Sequence, residues 1–146
     1  MLEFDEIQHI LLTRTPAITG RYEFLTFDTP EGGRAWLSEL LAKVASATEA
    51  VSTMDESDRW VTLAFTWTGL RALGVGEESL ATFPAAFREG MAQRATILGD
   101  TGEAAPEHWL GGLAGEDLHA IAILFSRTEE QCRRSIEEHD KLLDRT

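Results

Sequence analysis

The stretch LHAIAILFS, residues 118–126, is apolar at almost every position and decides the fold class. Read as a strand, it carries apolar side chains on both faces: Leu118, Ala120, Ala122 and Leu124 on one, and Ile121, Ile123 and Phe125 on the other. The stretch WVTLAFTW, residues 60–67, shows the same property with β-branched and aromatic residues. Strands of this kind need cover on both faces, so they belong inside a layered domain.

Working outward from these strands gives an alternating order of elements. Residues 21–27 alternate as a strand, residues 45–54 form a weak edge strand, and helices follow each of the stronger strands. Thr68 and Thr128 are the predicted caps of the helices after them. The resulting βαββαβ order predicts an α+β, ferredoxin-like sandwich of the dimeric α+β barrel type. It forms a single domain over residues 1–146, with an antiparallel four-stranded sheet and helices on one face.

Composition excludes several partners. The 146 residues carry 25 acidic and 13 basic side chains, a formal net charge of −12, which disfavours nucleic acids and anionic membranes. The longest apolar run, residues 120–125, is too short to span a bilayer, and the N-terminus lacks the pattern of a secretory signal. The single cysteine, Cys132, forms no internal disulfide, so we expect a cytoplasmic protein.

The second face of the predicted sheet indicates a partner. Two helices cover only one face of a four-stranded sheet, yet the central strands are apolar on both. We therefore predict a homodimer, or a missing domain whose sheet packs on the open face. The alternative is that the additional helices of this chain wrap around that face.

The residue types that carry chemistry do not form a recognisable site. His9, His108, His119 and His139 show none of the spacings of metal ligands, and Cys132 lies on the apolar stripe of an acidic helix, which makes it a poor nucleophile candidate. A histidine in a strand, such as His119, is more often a satisfied structural residue than a ligand. His139 is expected in a solvated, charged helix. His108 lies in a loop with proline and tryptophan, where a structural hydrogen bond is favoured over catalysis.

Several stretches in the same order resemble the N-terminal domain of Dyp-type (dye-decolourising) haem peroxidases. They are EIQ at 6–8, RYEFL at 21–25, AWL at 35–37, LAFTWTGLRALG at 63–74, SLATFPAAFREGM at 79–91, LGDTG at 98–102, APEHW at 105–109 and DLHA at 117–120. The resemblance implies a protein of two ferredoxin-like halves whose sheets meet in one molecule. It also implies haem and H2O2-dependent oxidation in the full-length family.

The residues that perform this chemistry in the family have no counterpart here. The G-x-x-D-G motif with its distal aspartate is missing, since the chain has no Asp-Gly dipeptide. A distal arginine and the proximal histidine are expected beyond Thr146. We therefore assign no catalytic, cofactor-binding or metal-ligating residue, and we expect no haem in this chain alone. His108 and Asp100 match family sequence but are interpreted as loop structure.

Two functions follow as hypotheses. The first is a scaffold or assembly domain, the N-terminal half of a peroxidase-like protein. The alternative is a free-standing dimeric α+β barrel that binds a small molecule or acts as a cofactor-free oxygenase, with His119 or Trp67 lining its pocket.

Overall fold

The computed structural model describes residues 3–12, 17–48 and 59–145. These residues contain one three-stranded sheet, whose strands are β1 (Thr19–Leu25), β2 (Arg59–Phe65) and β3 (Ala120–Ser126), in the order β1-β3-β2. The amide of Ile18 donates to the carbonyl of Ser126 at 3.0 Å, and that of His119 donates to Leu25 at 2.8 Å. These two bonds mark opposite ends of the pair, so β1 and β3 are antiparallel, and the predicted α+β class is confirmed.

The described chain outside the sheet also contains α-helices. They are α1 (Pro30–Leu41), α2 (Trp67–Ala72), α3 (Glu77–Ala81), α4 (Ala85–Gln93), α5 (Ala95–Leu98) and α6 (Glu129–Leu143). Thr128 caps α6 as predicted, because its hydroxyl accepts a hydrogen bond from the amide of Gln131 at 3.2 Å. The cap of α2 is Thr66 and not Thr68, because the Thr66 hydroxyl accepts from the amide of Gly69 at 2.9 Å.

The predicted fourth strand, residues 45–54, is only partly within the described residues. Ser46 pairs with Gln8 in an antiparallel bridge, and Val44 pairs with Val61 in a parallel bridge. Residues 47–48 are already helical, and residues 49–54 lie outside the described ranges. The described sheet therefore has three strands, to which this segment adds isolated bridges.

The chain consists of two compact units. Unit 1 comprises Met1–Glu23, Arg34–Leu63 and Ala122–Thr146, and unit 2 comprises Phe24–Gly33 and Ala64–Ile121. The core of unit 1 contains Trp36, Leu40 and Leu124, which are each 1% exposed. In unit 2 the buried residues include Leu73 and Leu80.

A close backbone approach in unit 2 explains a glycine in the family-like segment. A methyl group at Gly69 would lie 1.8 Å from the carbonyl oxygen of His119, a distance that no side chain can occupy. Thr66 fastens the same contact, since its amide donates to the His119 carbonyl at 3.1 Å and its hydroxyl donates to Leu118 at 2.6 Å. Helix α2 therefore begins directly against the start of β3.

Candidate interface on the open sheet face

The two faces of β3 differ in cover. Within unit 1, Ala122, Leu124 and Ser126 are at most 1% exposed, and these residues define what we term the closed face. Ile123 and Phe125 point the other way and are partly exposed. One apolar face of β3 is therefore less covered within the chain than the other, which agrees in part with the prediction of an open face.

Strand β1 extends this exposed surface. A methyl group at Gly20 would lie 2.9 Å from Cδ1 of Phe125, so Gly20 and Phe125 share a face. Alternation along the strand places Tyr22 on the same face, where it is 58% exposed. We call Gly20, Tyr22, Ile123 and Phe125 the open face. Phe24, the next residue in this alternation, is 52% exposed.

Strand β2 does not share this exposure, which corrects the expectation that it too is uncovered on one side. Residues 60–63 are all buried, on both faces of the strand. The side chain of Gln8 holds the N-terminal segment against this strand. Its Nε2 donates to the carbonyl of Leu63 at 2.8 Å, and its Oε1 accepts from the amide of Leu63 at 2.9 Å. The open face is therefore narrower than predicted and belongs to β1 and β3.

The opposite side of the sheet in unit 1 holds a buried polar pair that sequence reasoning missed. Nε1 of Trp36 donates to Nε2 of His139 at 2.9 Å, and the two residues are 1% and 2% exposed. The expectation that His139 is solvated is therefore wrong. His139 follows Cys132 by seven residues and precedes Leu142 by three, so all three lie on the buried stripe of α6. The spacing of these three residues was the feature of the sequence that could have predicted the burial of His139.

The environment of His139 favours its neutral form. Burial lowers its pKa, the nearby carboxylates of Glu23 and Asp140 oppose that shift, and Lys43 adds to it. Because Nε2 accepts from an indole that can only donate, the hydrogen-bond network assigns the ring proton to Nδ1. Glu23 lies between Tyr22 and Phe24 in β1, so its side chain points away from the open face and toward α6.

The other histidines are structural or exposed. His9 is fully buried in unit 1, and burial lowers its pKa, although a hydrogen bond to the backbone of Ala45 opposes that shift. In unit 2, Nδ1 of His119 accepts from the amide of Phe27 at 2.9 Å, which confirms the structural interpretation of His119. His108 is exposed, and the hydrogen bond that closes its loop comes instead from Trp109, whose Nε1 donates to Ala104 at 2.9 Å.

The remaining candidates do not converge on a catalytic arrangement. Cys132 is a free, buried thiol in unit 1, whereas Asp100 and Trp67 belong to unit 2. The Trp67 ring lies 5.7 Å from the guanidinium carbon of Arg71, a cation–π contact that uses its exposed face. Within the described ranges, no three His, Cys, Asp or Glu side chains are grouped as metal ligands.

The described histidines do not fit the role of a haem ligand. His9 and His139 are 0% and 2% exposed, which leaves their nitrogens out of reach of a porphyrin. His119 uses Nδ1 as an acceptor, so Nε2 carries the proton and has no lone pair for iron. His108 lies on an exposed turn, outside any apolar pocket that its described neighbours form. No chemical step is therefore derived through haem on this chain.

Relatives of this chain were found by sequence. A family model described as "DyP dimeric alpha+beta barrel domain" matches residues 6–146. A "Dye-decolorizing peroxidase" from Mycena epipterygia is 28% identical over 143 residues, which are 97% of this chain and 26% of that protein. "Peroxidase 2" from Mycetinis scorodonius is 27% identical over 106 residues, 73% of this chain and 20% of that protein. The chain thus spans 20% to 26% of the length of these two curated relatives.

Solved structures agree on the fold. The crystal structure of a fungal DyP-type peroxidase from Auricularia auricula-judae matches with a TM-score of 0.81 at 24% identity, covering 98% of this chain and 31% of that one. Another DyP crystal structure matches with a TM-score of 0.79 at 18% identity, with the same coverage of 98% and 31%. In the described ranges, no helix is long and apolar enough to cross a membrane. The match over residues 6–146 shows that this chain belongs to the family of DyP dimeric α+β barrel domains.

Proposed function

We propose that this chain is the N-terminal half of a DyP-type haem peroxidase and acts as a scaffold that supplies a sheet face and no haem ligand. The observation that carries the proposal is the open face of β1 and β3, where Tyr22 is 58% exposed beside the partly exposed Phe125. Haem is the cofactor of the full-length family. In this proposal, the haem ligand and the distal residues come from outside this chain.

An apolar sheet face with exposed aromatic residues is suited to a second sheet. Aromatic side chains are enriched in protein interfaces, and two sheets pack face to face at about 10 Å through such residues. Gly20 contributes to this face, because the absence of a side chain there lets the ring of Phe125 lie directly against β1. The partner is the second ferredoxin-like half of the peroxidase or, when this chain is alone, a second copy.

Sedimentation of the purified chain tests the interface. We expect a dimer for the wild type and a monomer for Tyr22→Asp, because a carboxylate on the open face would be buried without a partner. Ile97→Asp is the matched control, since Ile97 is 79% exposed on α5 and outside the open face, and this variant should remain dimeric. A wild-type chain that stays monomeric at high concentration contradicts the partner sheet.

A haem titration tests the scaffold role separately. We expect no stoichiometric Soret shift when haem is added to the purified chain. A sharp shift at one haem per chain would overturn the scaffold assignment, and His108→Gln would then show whether the exposed histidine is the ligand. The alternative, an oxygenase-like dimer with a pocket lined by His119, is disfavoured because His119 is already engaged with Phe27.

We propose a reducing, cytoplasmic location, because the single cysteine, Cys132, is free and buried and can form no disulfide within the chain.

A further inference from the structure

The Trp36–His139 hydrogen bond has a chemical requirement that makes it dependent on protonation. The indole N–H of Trp36 is a donor only, so it needs an unprotonated nitrogen at His139 Nε2, 2.9 Å away. An imidazolium carries protons on both nitrogens and has no acceptor. Protonation of His139 therefore removes this bond and leaves two N–H groups facing each other in the core of unit 1.

The charged groups around His139 determine which carboxylate a protonated ring can pair with. Glu23 approaches from β1, Asp140 follows His139 on α6, and Lys43 lies just after α1. Oε1 of Glu23 is buried without a hydrogen bond, although Nε of Arg21 lies 3.1 Å from it as an ion pair of poor alignment. Nδ1 of His139 is likewise buried without a hydrogen-bond partner. Glu23 is thus the carboxylate in this core with an acceptor to offer an imidazolium.

We propose that Trp36 and His139 form a pH-sensitive latch in unit 1, which holds α6 to α1 when His139 is neutral and opens when it is protonated. In the open state the imidazolium pairs with Glu23 of β1, and the indole N–H of Trp36 is released. The latch lies on the side of the sheet opposite the open face. It therefore acts on the helix layer and does not require the proposed partner.

The direction of the pH effect follows from the burial of the ring. Burial is the largest influence and lowers the pKa of His139 below its ordinary value of 6.5. A depressed pKa in the folded chain means that the unfolded chain takes up protons first as the pH falls. The stabilisation by the latch is hence complete above about pH 6.5 and is lost as the pH falls through the lower pKa of the folded state.

Indole resonances in 1H–15N spectra of the chain give a residue-specific test. The chain has four tryptophans, and Trp36→Phe identifies the Trp36 signal. As the pH is lowered from 7 through the depressed pKa of His139, over the range in which the chain stays folded, we expect this signal to shift and to lose protection from hydrogen exchange. The Trp109 indole is the internal control, because it donates to the backbone carbonyl of Ala104, which does not titrate in this range.

Two variants separate the latch from general acid unfolding. His139→Gln keeps a neutral acceptor for Trp36, so its indole signal should be independent of pH over this range. Glu23→Gln removes the carboxylate that receives the imidazolium, so the midpoint should move to lower pH. A Trp36 signal that does not change while the chain stays folded would overturn the proposal, as would an unchanged response in His139→Gln. If His139→Gln does not fold, a Glu23→Gln midpoint that stays in place or rises overturns it.

Discussion

Adjacent residues of β3 are equally apolar but unequally covered. Leu124 is 1% exposed on the closed face, whereas Ile123 and Phe125 on either side of it remain partly exposed. In β1 the aromatic Tyr22 is more exposed than its charged neighbour Glu23. This chain therefore buries one face of β3 and leaves the other partly exposed, which is the arrangement that the proposed partner sheet requires. In β3, hydrophobicity alone does not distinguish the two faces, because both carry residues suited to a core.

Strand β2, in contrast, is buried on both faces within this chain. Its residues 60–63 are all buried, and the N-terminal segment is fixed against it through Gln8. The side chain of Gln8 thus satisfies both backbone groups of Leu63, while β1 and β3 keep an exposed face. The location of a predicted partner is therefore limited to these two strands.

The largest expected loss of stability comes from a substitution on the closed face. Leu124→Ala should reduce the free energy of unfolding by about 2–5 kcal/mol, because the fully buried side chain leaves a cavity. Ile123→Ala is the matched variant on the neighbouring residue and should cost well under half as much in the monomer, since its side chain is already partly in water. Urea denaturation followed by circular dichroism measures both. Equal losses at low protein concentration would contradict the asymmetry between the faces.

Local patterns predicted the parts of the fold that depend on neighbouring residues. The runs of β-branched and aromatic side chains at 60–67 and 118–126 predicted two strands, and strands β2 and β3 are found there. The predicted bounds were too long, because β2 ends at Phe65 and Trp67 begins α2, while β3 begins at Ala120. Thr128 was predicted as a cap from its place before an amphipathic segment. The family was recognisable from short stretches spread over the chain. These features are encoded within a few residues, where periodicity and capping act.

Contacts between distant residues were not predictable in the same way. Gln8 and Leu63 are separated by 55 residues, and Trp36 and His139 by 103. Nothing in the local sequence marks Gln8 as the partner of a strand, and a charged helix masks the burial of His139. The predicted cap of α2 was wrong for a different reason. Thr66 and Thr68 both have a hydroxyl that can cap a helix, and only the backbone conformation selects Thr66.

An intermediate effect is expected at Gln8. Gln8→Ala leaves the amide and the carbonyl of Leu63 without their partners in a partly buried place, which should cost about 1–3 kcal/mol in the free energy of unfolding. Gln8→Glu is the matched control, because its carboxylate still accepts from the Leu63 amide but cannot donate to the Leu63 carbonyl. Because its second oxygen faces the Leu63 carbonyl oxygen, we expect a loss at least as large as that of Gln8→Ala in urea denaturation at neutral pH. A Gln8→Ala variant as stable as the wild type would mean that β2 does not depend on this segment.

The smallest effect concerns the surface of α6. Glu138 accepts from Arg59 at 2.9 Å and lies 3.6 Å from Lys43, and the hydrogen bond from Arg59 is the main cause of its lowered pKa. A carboxyl group with a lowered pKa stabilises the fold above its unfolded value of 4.5, and this contribution is lost as the pH falls through the folded value. Because the side chain is 46% exposed, solvent screening should limit the loss in Glu138→Gln to about 0.5 kcal/mol at pH 7 and low salt.

Glu137→Gln is the matched control for Glu138→Gln, because it removes an ion pair within one helix and not one between two elements. Glu137 pairs with Arg133 at 3.3 Å on α6 itself, whereas Glu138 joins α6 to the start of β2. Both variants should lose their difference from the wild type at high salt, since both pairs are exposed. At low salt, the midpoint of urea unfolding should fall more for Glu138→Gln, because only that pair holds the helix against the sheet. An equal or reversed order would contradict the contribution of the Arg59–Glu138 pair to holding α6 against β2.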